Sequence, residues 1–139
     1  WTRPGNLLLR QAAGPGNALG EVAIRFPNPF SVYLHDTPSR RLFGTPERFY
    51  SSGCVRVENA VSLTDELFQG ASEGLWRQLD QARLSGDTRN VSLPRGIPLI
   101  MAYWTVEADA TGRISFRPDT YEEDEQVIDL LDAEGLAEP

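Results

Sequence analysis

The sequence contains no lysine, and only one cysteine, one histidine and one methionine among its 139 residues. Arginine is therefore the only strongly basic side chain, and acidic residues outnumber it to give a net charge of −7. A nucleic-acid surface needs a basic stripe, which this balance does not provide. A lone cysteine excludes an internal disulfide. One cysteine and one histidine also cannot build a zinc site from protein ligands alone, so no metal or cofactor is expected. Long apolar runs are missing too. The longest, Ile97 to Trp104 with Pro98 inside it, is far too short to cross a bilayer. No signal-peptide pattern is visible. The chain begins at Trp1 rather than Met, and we expect it to have been processed or excised from something longer.

What is present suits one folded domain with a real core: 40% apolar and 24% charged residues. Negative charge collects between Asp119 and Glu138, so an acidic tail over 119–139 is expected to follow a domain over 1–118. Leu7 to Gln11 reads as a strand ended by Gly14-Pro15-Gly16. Leu19 to Phe26 alternates, with Val22, Ile24 and Phe26 on one face and Glu21 and Arg25 on the other, until Pro27-Asn28-Pro29 breaks it. Ser31 to His35 resumes, with Val32 and Leu34 opposite Tyr33 and His35. Thr37 to Phe49 is a loop rich in Pro, Gly and Arg. Val55 and Val57 are expected in the core, leaving Cys54 and Arg56 on the other face of a short extended piece.

The helix signals follow. One helix is predicted to begin near Asn59 or at Ser62, where Ser62-x-x-Asp65 fits a capping box, with Leu63, Leu67 and Phe68 as its buried stripe. A second is predicted from Ser72 to Leu84, with Leu75, Trp76, Leu79 and Ala82 facing inward. Asn90 to Leu93 and Ile97 to Val106 read as strands. Asp109 to Gly112 reads as a turn into Ile114-Ser115-Phe116, and Gln126 to Leu131 as a short helix. The fold class is α+β, mainly antiparallel sheet with two central helices.

The single thiol and the single imidazole carry the chemical argument. A thiol attacks an amide as the thiolate, and a nearby imidazole is the usual base, able to return the proton to the leaving amine. Gly53 before Cys54 lets a reacting carbonyl approach the backbone, and the N–H groups of Gly53 and Cys54 are candidates for an oxyanion hole. The first expected helix cap lies too far past Cys54 for a helix dipole to activate the sulfur, which leaves that task to His35. On spacing alone other readings stay open: a free cysteine is often core, and a histidine at a strand end is often merely solvated. Arg56 as a partner of Glu58, and Tyr33 as cross-strand packing, are likewise open.

Ser51-Ser52-Gly53-Cys54-Val55-Arg56-Val57 resembles the Ser/Thr-(His)-Gly-Cys-x-Arg/Asn signature of the L,D-transpeptidases. Tyr33-Leu34-His35-Asp36-Thr37-Pro38 resembles the histidine segment of that family. Similar segments at Gly14 to Gly20, Phe26-Pro27-Asn28, Gly86 to Arg89 and Tyr103-Trp104-Thr105 extend the likeness to the large, scaffold-bearing, periplasmic branch. The resemblance implies a β-sheet sandwich of the L,D-transpeptidase type and an enzyme of peptidoglycan biosynthesis, cell wall organisation and cell shape. In that family a cysteine attacks the bond between diaminopimelate and the terminal D-alanine of a tetrapeptide stem. An amine of a neighbouring stem then resolves the thioester into a 3–3 cross-link.

Carried over, Cys54 is the nucleophile, His35 the base, Asp36 the residue whose backbone carbonyl orients the histidine, and Gly53 part of the oxyanion hole. Arg56 is the first candidate for a substrate carboxylate, with Ser52, Tyr33 and Arg48 as further substrate contacts and the Arg40-Arg41 pair as weaker ones. The implied partners are donor and acceptor stem peptides and β-lactams of the carbapenem type, and the implied location is the periplasm or cell envelope. Ser52 stands where many members carry a second histidine. The branch's opening strands, lid and wall-binding module are not seen, and are expected before Trp1 unless this is a minimal version. Hydrolysis of the thioester, as in an L,D-carboxypeptidase, and a non-catalytic wall-binding role are the alternatives.

Overall fold

The computed structural model describes residues 10–133 and 135. Positions 7–9 of the strand expected at Leu7 to Gln11 lie outside them, while Arg10 and Gln11 are irregular. The Gln11 side chain instead pins the following turn: Nε2 donates to the Gly16 carbonyl at 2.7 Å and Oε1 accepts from the Ala18 N–H at 3.0 Å. The chain folds as two compact units, residues 1–96 and 97–139. The described residues form two small sheets and three helices, and the class is α+β.

The first unit is built on a three-stranded sheet of very short strands: β1 (Ala23–Ile24), β2 (Leu34–His35) and β3 (Val55–Arg56), in that order. β1 and β2 are antiparallel, with Ala23 opposite His35. β2 and β3 are parallel, pairing Leu34 with Val55 and His35 with Arg56. Parallel neighbours need a long crossover, here residues 36–54 with a 3₁₀ turn at Arg40–Gly44. The expected strands Leu19 to Phe26 and Ser31 to His35 thus shrink to two residues each, although Val22, Ile24 and Phe26 are half-buried and Glu21 and Arg25 exposed, as the alternation implies.

Strands this short supply few ladder bonds, each worth about 1 kcal/mol net, so side chains hold the connections. Asn28 closes the β1–β2 loop with four bonds. Its Nδ2 donates to the carbonyls of Phe26 and Val32 (3.0 and 2.8 Å), and its Oδ1 accepts from the N–H groups of Phe30 and Val32 (both 3.1 Å).

One packing expectation is corrected. Val55 is 39% exposed and Val57 half-buried, so the valines do not enter the core. The better covered face of the sheet is the opposite one, where His35 is only 6% exposed and Asp36 and Thr37 follow it inward.

Two helices complete this unit. α1 (Ala60–Leu67) starts at Asn59, whose carbonyl takes the first helical N–H, from Leu63, while its side chain caps nothing. Ser62 is therefore inside the first turn rather than at a capping box, because burying Ala60 and Thr64 sets the start earlier. Leu63 and Leu67 are half-buried and Phe68 is buried. α2 (Glu73–Leu84) is capped as its sequence implies, the Ser72 hydroxyl accepting from the Leu75 N–H at 3.3 Å. Leu79 is buried, and Leu75, Trp76 and Ala82 are half-buried. Phe68 and Trp76 pack at a tilt of 59° with centroids 5.8 Å apart, and Arg83 of α2 pairs with Asp65 of α1 at 2.5 Å.

In the second unit, β4 (Val106–Ala108) and β5 (Ile114–Phe116) form an antiparallel hairpin, Glu107 opposite Ser115. Asp109 shapes its turn, one carboxylate oxygen accepting from the Thr111 N–H, the Thr111 hydroxyl and the Arg113 N–H. These bonds hold the Asp109 carboxyl below the usual range. α3 (Asp124–Ala133) contains the predicted short helix and extends it. The strands expected at Asn90 to Leu93 and over most of Ile97 to Val106 do not form, only Val106 of them lying in one. Pro94 and Pro98 remove the donors a ladder there would need.

Candidate active site

The site is assembled by the β2–β3 pairing. In a parallel pair, residues opposite one another project to the same face. His35 and Arg56 are such a pair. One step back along the register, Tyr33 lies opposite Cys54, and the Val55 N–H donates to the Tyr33 carbonyl at 3.0 Å. The Val57 N–H closes the other end on the His35 carbonyl at 2.8 Å. Continued one residue before each strand, the alternation puts Tyr33 and Cys54 on the face of His35 and Arg56, and Leu34 and Val55 on the other. Tyr33 and His35 meet edge to face, centroids 5.9 Å apart.

The imidazole is held in a defined state. His35 Nδ1 lies 2.5 Å from the Asp36 carbonyl oxygen. A carbonyl oxygen only accepts, so Nδ1 carries the proton and Nε2 of the neutral ring is left as the acceptor. The Asp36 N–H is fixed in turn on the Val22 carbonyl at 2.8 Å.

Cys54 is a free, half-buried thiol at the foot of β3. The Ser51–Cys54 turn that presents it is closed by the Ser51 hydroxyl, which donates to the Cys54 carbonyl at 2.6 Å and accepts from the Gly53 N–H at 3.3 Å. Gly53 has φ +134°, a region that side-chain-bearing residues rarely enter. A Cβ there would sit 2.9 Å from Val32 Cγ1. Ser51, Ser52 and Gly53 are exposed, so the approach to the sulfur faces solvent.

The arginines divide. Arg56, half-buried on the Cys54 face, donates from Nη2 to the Tyr50 carbonyl at 3.0 Å. Arg48 turns onto its own loop, Nε donating to the Thr45 carbonyl at 2.9 Å and Nη2 to that of Phe43. Arg41 is exposed. Arg40 is not a solvated loop residue: Nη2 donates to Asp36 Oδ1 at 3.0 Å and Nη1 to the Glu58 carbonyl at 2.7 Å. Sequence reasoning missed this fork and the Ser51 closure. The fork had a signal, the opposite charges at Asp36 and Arg40 four residues apart. The Ser51 closure follows from turn chemistry, a hydroxyl two residues before a glycine. Among the described residues no cluster of His, Cys, Asp and Glu could hold a metal. None of their helices is long and apolar enough to cross a membrane.

Residues 1–72 match the YkuD-type L,D-transpeptidase catalytic domain, a stretch that contains both His35 and Cys54. That match covers more than half of the chain, and the chain belongs to the L,D-transpeptidase catalytic domain family. It is also 35% identical over 120 residues to a Haemophilus influenzae protein named "Putative L,D-transpeptidase". The aligned region is 86% of this chain and 24% of that protein. The chain thus spans about a quarter of the length of the curated relative it matches.

Proposed function

We propose that the chain is a peptidoglycan L,D-transpeptidase acting through a Cys54 thioester. The observation that supports the reading is that His35 ends β2 and Cys54 immediately precedes β3, the strand paired parallel with it, with the imidazole proton on Nδ1 and Nε2 left as base. His35 Nε2 takes the Sγ proton as sulfur attacks the carbonyl carbon between diaminopimelate and D-alanine. The tetrahedral oxyanion is received by the Cys54 N–H and by that of Gly53, which must first exchange its long 3.3 Å bond to the Ser51 hydroxyl for the oxyanion. The C–N bond breaks, His35 returns its proton to the leaving amine of D-alanine, and the stem remains as a thioester. A side-chain amine of a second stem then attacks that carbonyl, loses a proton to His35, and expels the thiolate, which is reprotonated. One amide is broken and one formed, so no energy source is needed.

Arg56 is the proposed anchor for a stem carboxylate. Its position on the Cys54 face supports this, since one N–H meets Tyr50 and a guanidinium has five. Tyr33 walls the histidine and Ser52 edges the approach. Arg48, turned onto its own loop, has weaker support. The same thiol implies acylation by carbapenems, and the substrate implies the periplasm or cell envelope. A sandwich of the family's type, and a catalytic stretch running to residue 118, belong to the same proposal.

Incubation with purified tetrapeptide muropeptides tests it: cross-linked dimers are expected. Tripeptides without dimers would assign an L,D-carboxypeptidase instead, a result the solvent-facing 51–53 turn makes worth looking for. No turnover, and no carbapenem adduct on intact mass, would leave a wall-binding role. The adduct is expected on Cys54, absent in Cys54→Ala and slowed by about 10²-fold or more in His35→Ala, as for loss of a positioned base.

A further inference from the structure

His35 can act as base only while its proton stays on Nδ1, and that depends on where one peptide carbonyl points. The carbonyl belongs to Asp36, which is 2% exposed and whose carboxylate is held on both oxygens. Oδ2 accepts from the Glu21 N–H at 3.0 Å. That approach exists because position 20 is glycine at φ +60°; a Cβ there would lie 2.2 Å from Oδ2. Oδ1 takes the Arg40 Nη2, and the second arm of the same guanidinium reaches the Glu58 carbonyl just before α1. Arg40 therefore ties the crossover to the β1 turn through Asp36 and to the entrance of α1 through Glu58. Among the described residues, the bonds of the Asp36 and Arg40 side chains go to Glu21 and Glu58 and to one another rather than to the Cys54 turn, and a route from them to the site runs through the histidine.

We propose that Arg40 and the Asp36 carboxylate are positioning residues, which lock the Asp36 peptide so that its carbonyl keeps the His35 proton on Nδ1. The consequence for catalysis rests on the Cys54/His35 reading above, but the lock itself does not. A planar fork reaches two acceptors at fixed geometry, and lysine, a point charge on a flexible stem, reaches them poorly.

The chain has a single histidine, so the ring ¹⁵N shifts of the full chain, recorded where a neutral imidazole prevails, report its tautomer without assignment. The wild-type protein is expected as the Nδ1–H form. Arg40→Ala and Asp36→Asn should move it toward the mixture of a free imidazole, with Arg40→Lys in between. Cys54 alkylation by iodoacetamide should slow in the same order. The Arg40→Ala loss is expected to be about tenfold, part of the roughly 10²–10⁴ a positioned base supplies. Arg40 is half-exposed, so Arg40→Ala is the variant expected to fold, as circular dichroism will show; should it not, Arg40→Lys decides. A folded Arg40 variant with the wild-type tautomer overturns the proposal. If the tautomer shifts while alkylation is as fast in His35→Ala as in wild type, the lock stands and the catalytic pairing falls.

Discussion

At the scale of single residues, the site depends on backbone conformation as much as on reactive side chains. Gly53 is the sharpest case. Its φ of +134°, and the 2.9 Å that would separate a Cβ at this position from Val32 Cγ1, leave no room for a side chain. Val32 cannot give way cheaply, because a β-branched side chain has little rotamer freedom. Its N–H and carbonyl are both held by Asn28. Gly53→Ala is therefore expected to cost about 1–3 kcal/mol, the usual range for a residue forced into a sparse backbone region. It should also displace the adjacent Cys54. Urea unfolding of the variant checks the first effect and iodoacetamide labelling the second. Wild-type values for both would mean that the turn relaxes without consequence.

At the scale of elements, what was legible follows from which interactions are local. α2 was readable nearly to the residue because its cap and apolar stripe lie within its own stretch: Ser72, then Leu75, Trp76, Leu79 and Ala82. The 109–112 turn and its hairpin were readable for the same reason. The first sheet was not. A two-residue strand has no period to detect, and the parallel pairing of β2 with β3 joins segments separated by the whole crossover. The alternation of Tyr33 with Leu34, and of Cys54 with Val55, puts Tyr33 with His35 and Cys54 with Arg56, but only the register sets the two pairs side by side. Arg40 was read only as a weaker substrate contact because one of its two acceptors, the Glu58 carbonyl, lies beyond β3 and far along the chain. The helix pair separates capping from packing energetically. Ser72→Ala removes one cap bond and is expected to lower stability by about 1 kcal/mol. Phe68→Ala opens a cavity beside Trp76 and is expected to cost about 3–5 kcal/mol. Chemical denaturation of the two variants side by side checks the ordering, and equal losses would show that the helices are held by something other than this aromatic contact.

For the molecule as a whole, the two units are built on different chemistry. The unit over 1–96 contains every proposed catalytic group and the whole family match. The unit over 97–139 is tied together by hydroxyl–carboxylate and amide–carboxylate bonds. Asp119 is its centre: its Oδ1 accepts from the Tyr103 hydroxyl at 2.8 Å and the Glu123 N–H at 3.2 Å, and its Oδ2 from the Asp124 N–H at 2.9 Å, at the start of α3. The Asp124 N–H, more than the other bonds, holds the Asp119 carboxyl below its ordinary value. Desolvation, and then the bond to Asp119, hold the Tyr103 hydroxyl above its own. A lowered carboxyl contributes stability that is complete above the unfolded value, about 3.9 for aspartate, and is lost as pH falls through the folded one. A raised phenol contributes stability that is complete below about 10 and is lost as pH rises through the folded value. The start of α3 should therefore be intact across the neutral range and fray on both sides, first losing Asp119 in acid and then losing the Tyr103 proton in base. An amide NMR titration checks this: the N–H signals of Glu123 and Asp124, both bonded to Asp119, are expected to report its carboxyl titrating below the ordinary aspartate value. Asp119→Asn should abolish that acid step and let Tyr103 ionise at lower pH. Amide signals that move at the ordinary aspartate value, or that ignore the substitution, would assign the order of α3 to its own helix propensity instead.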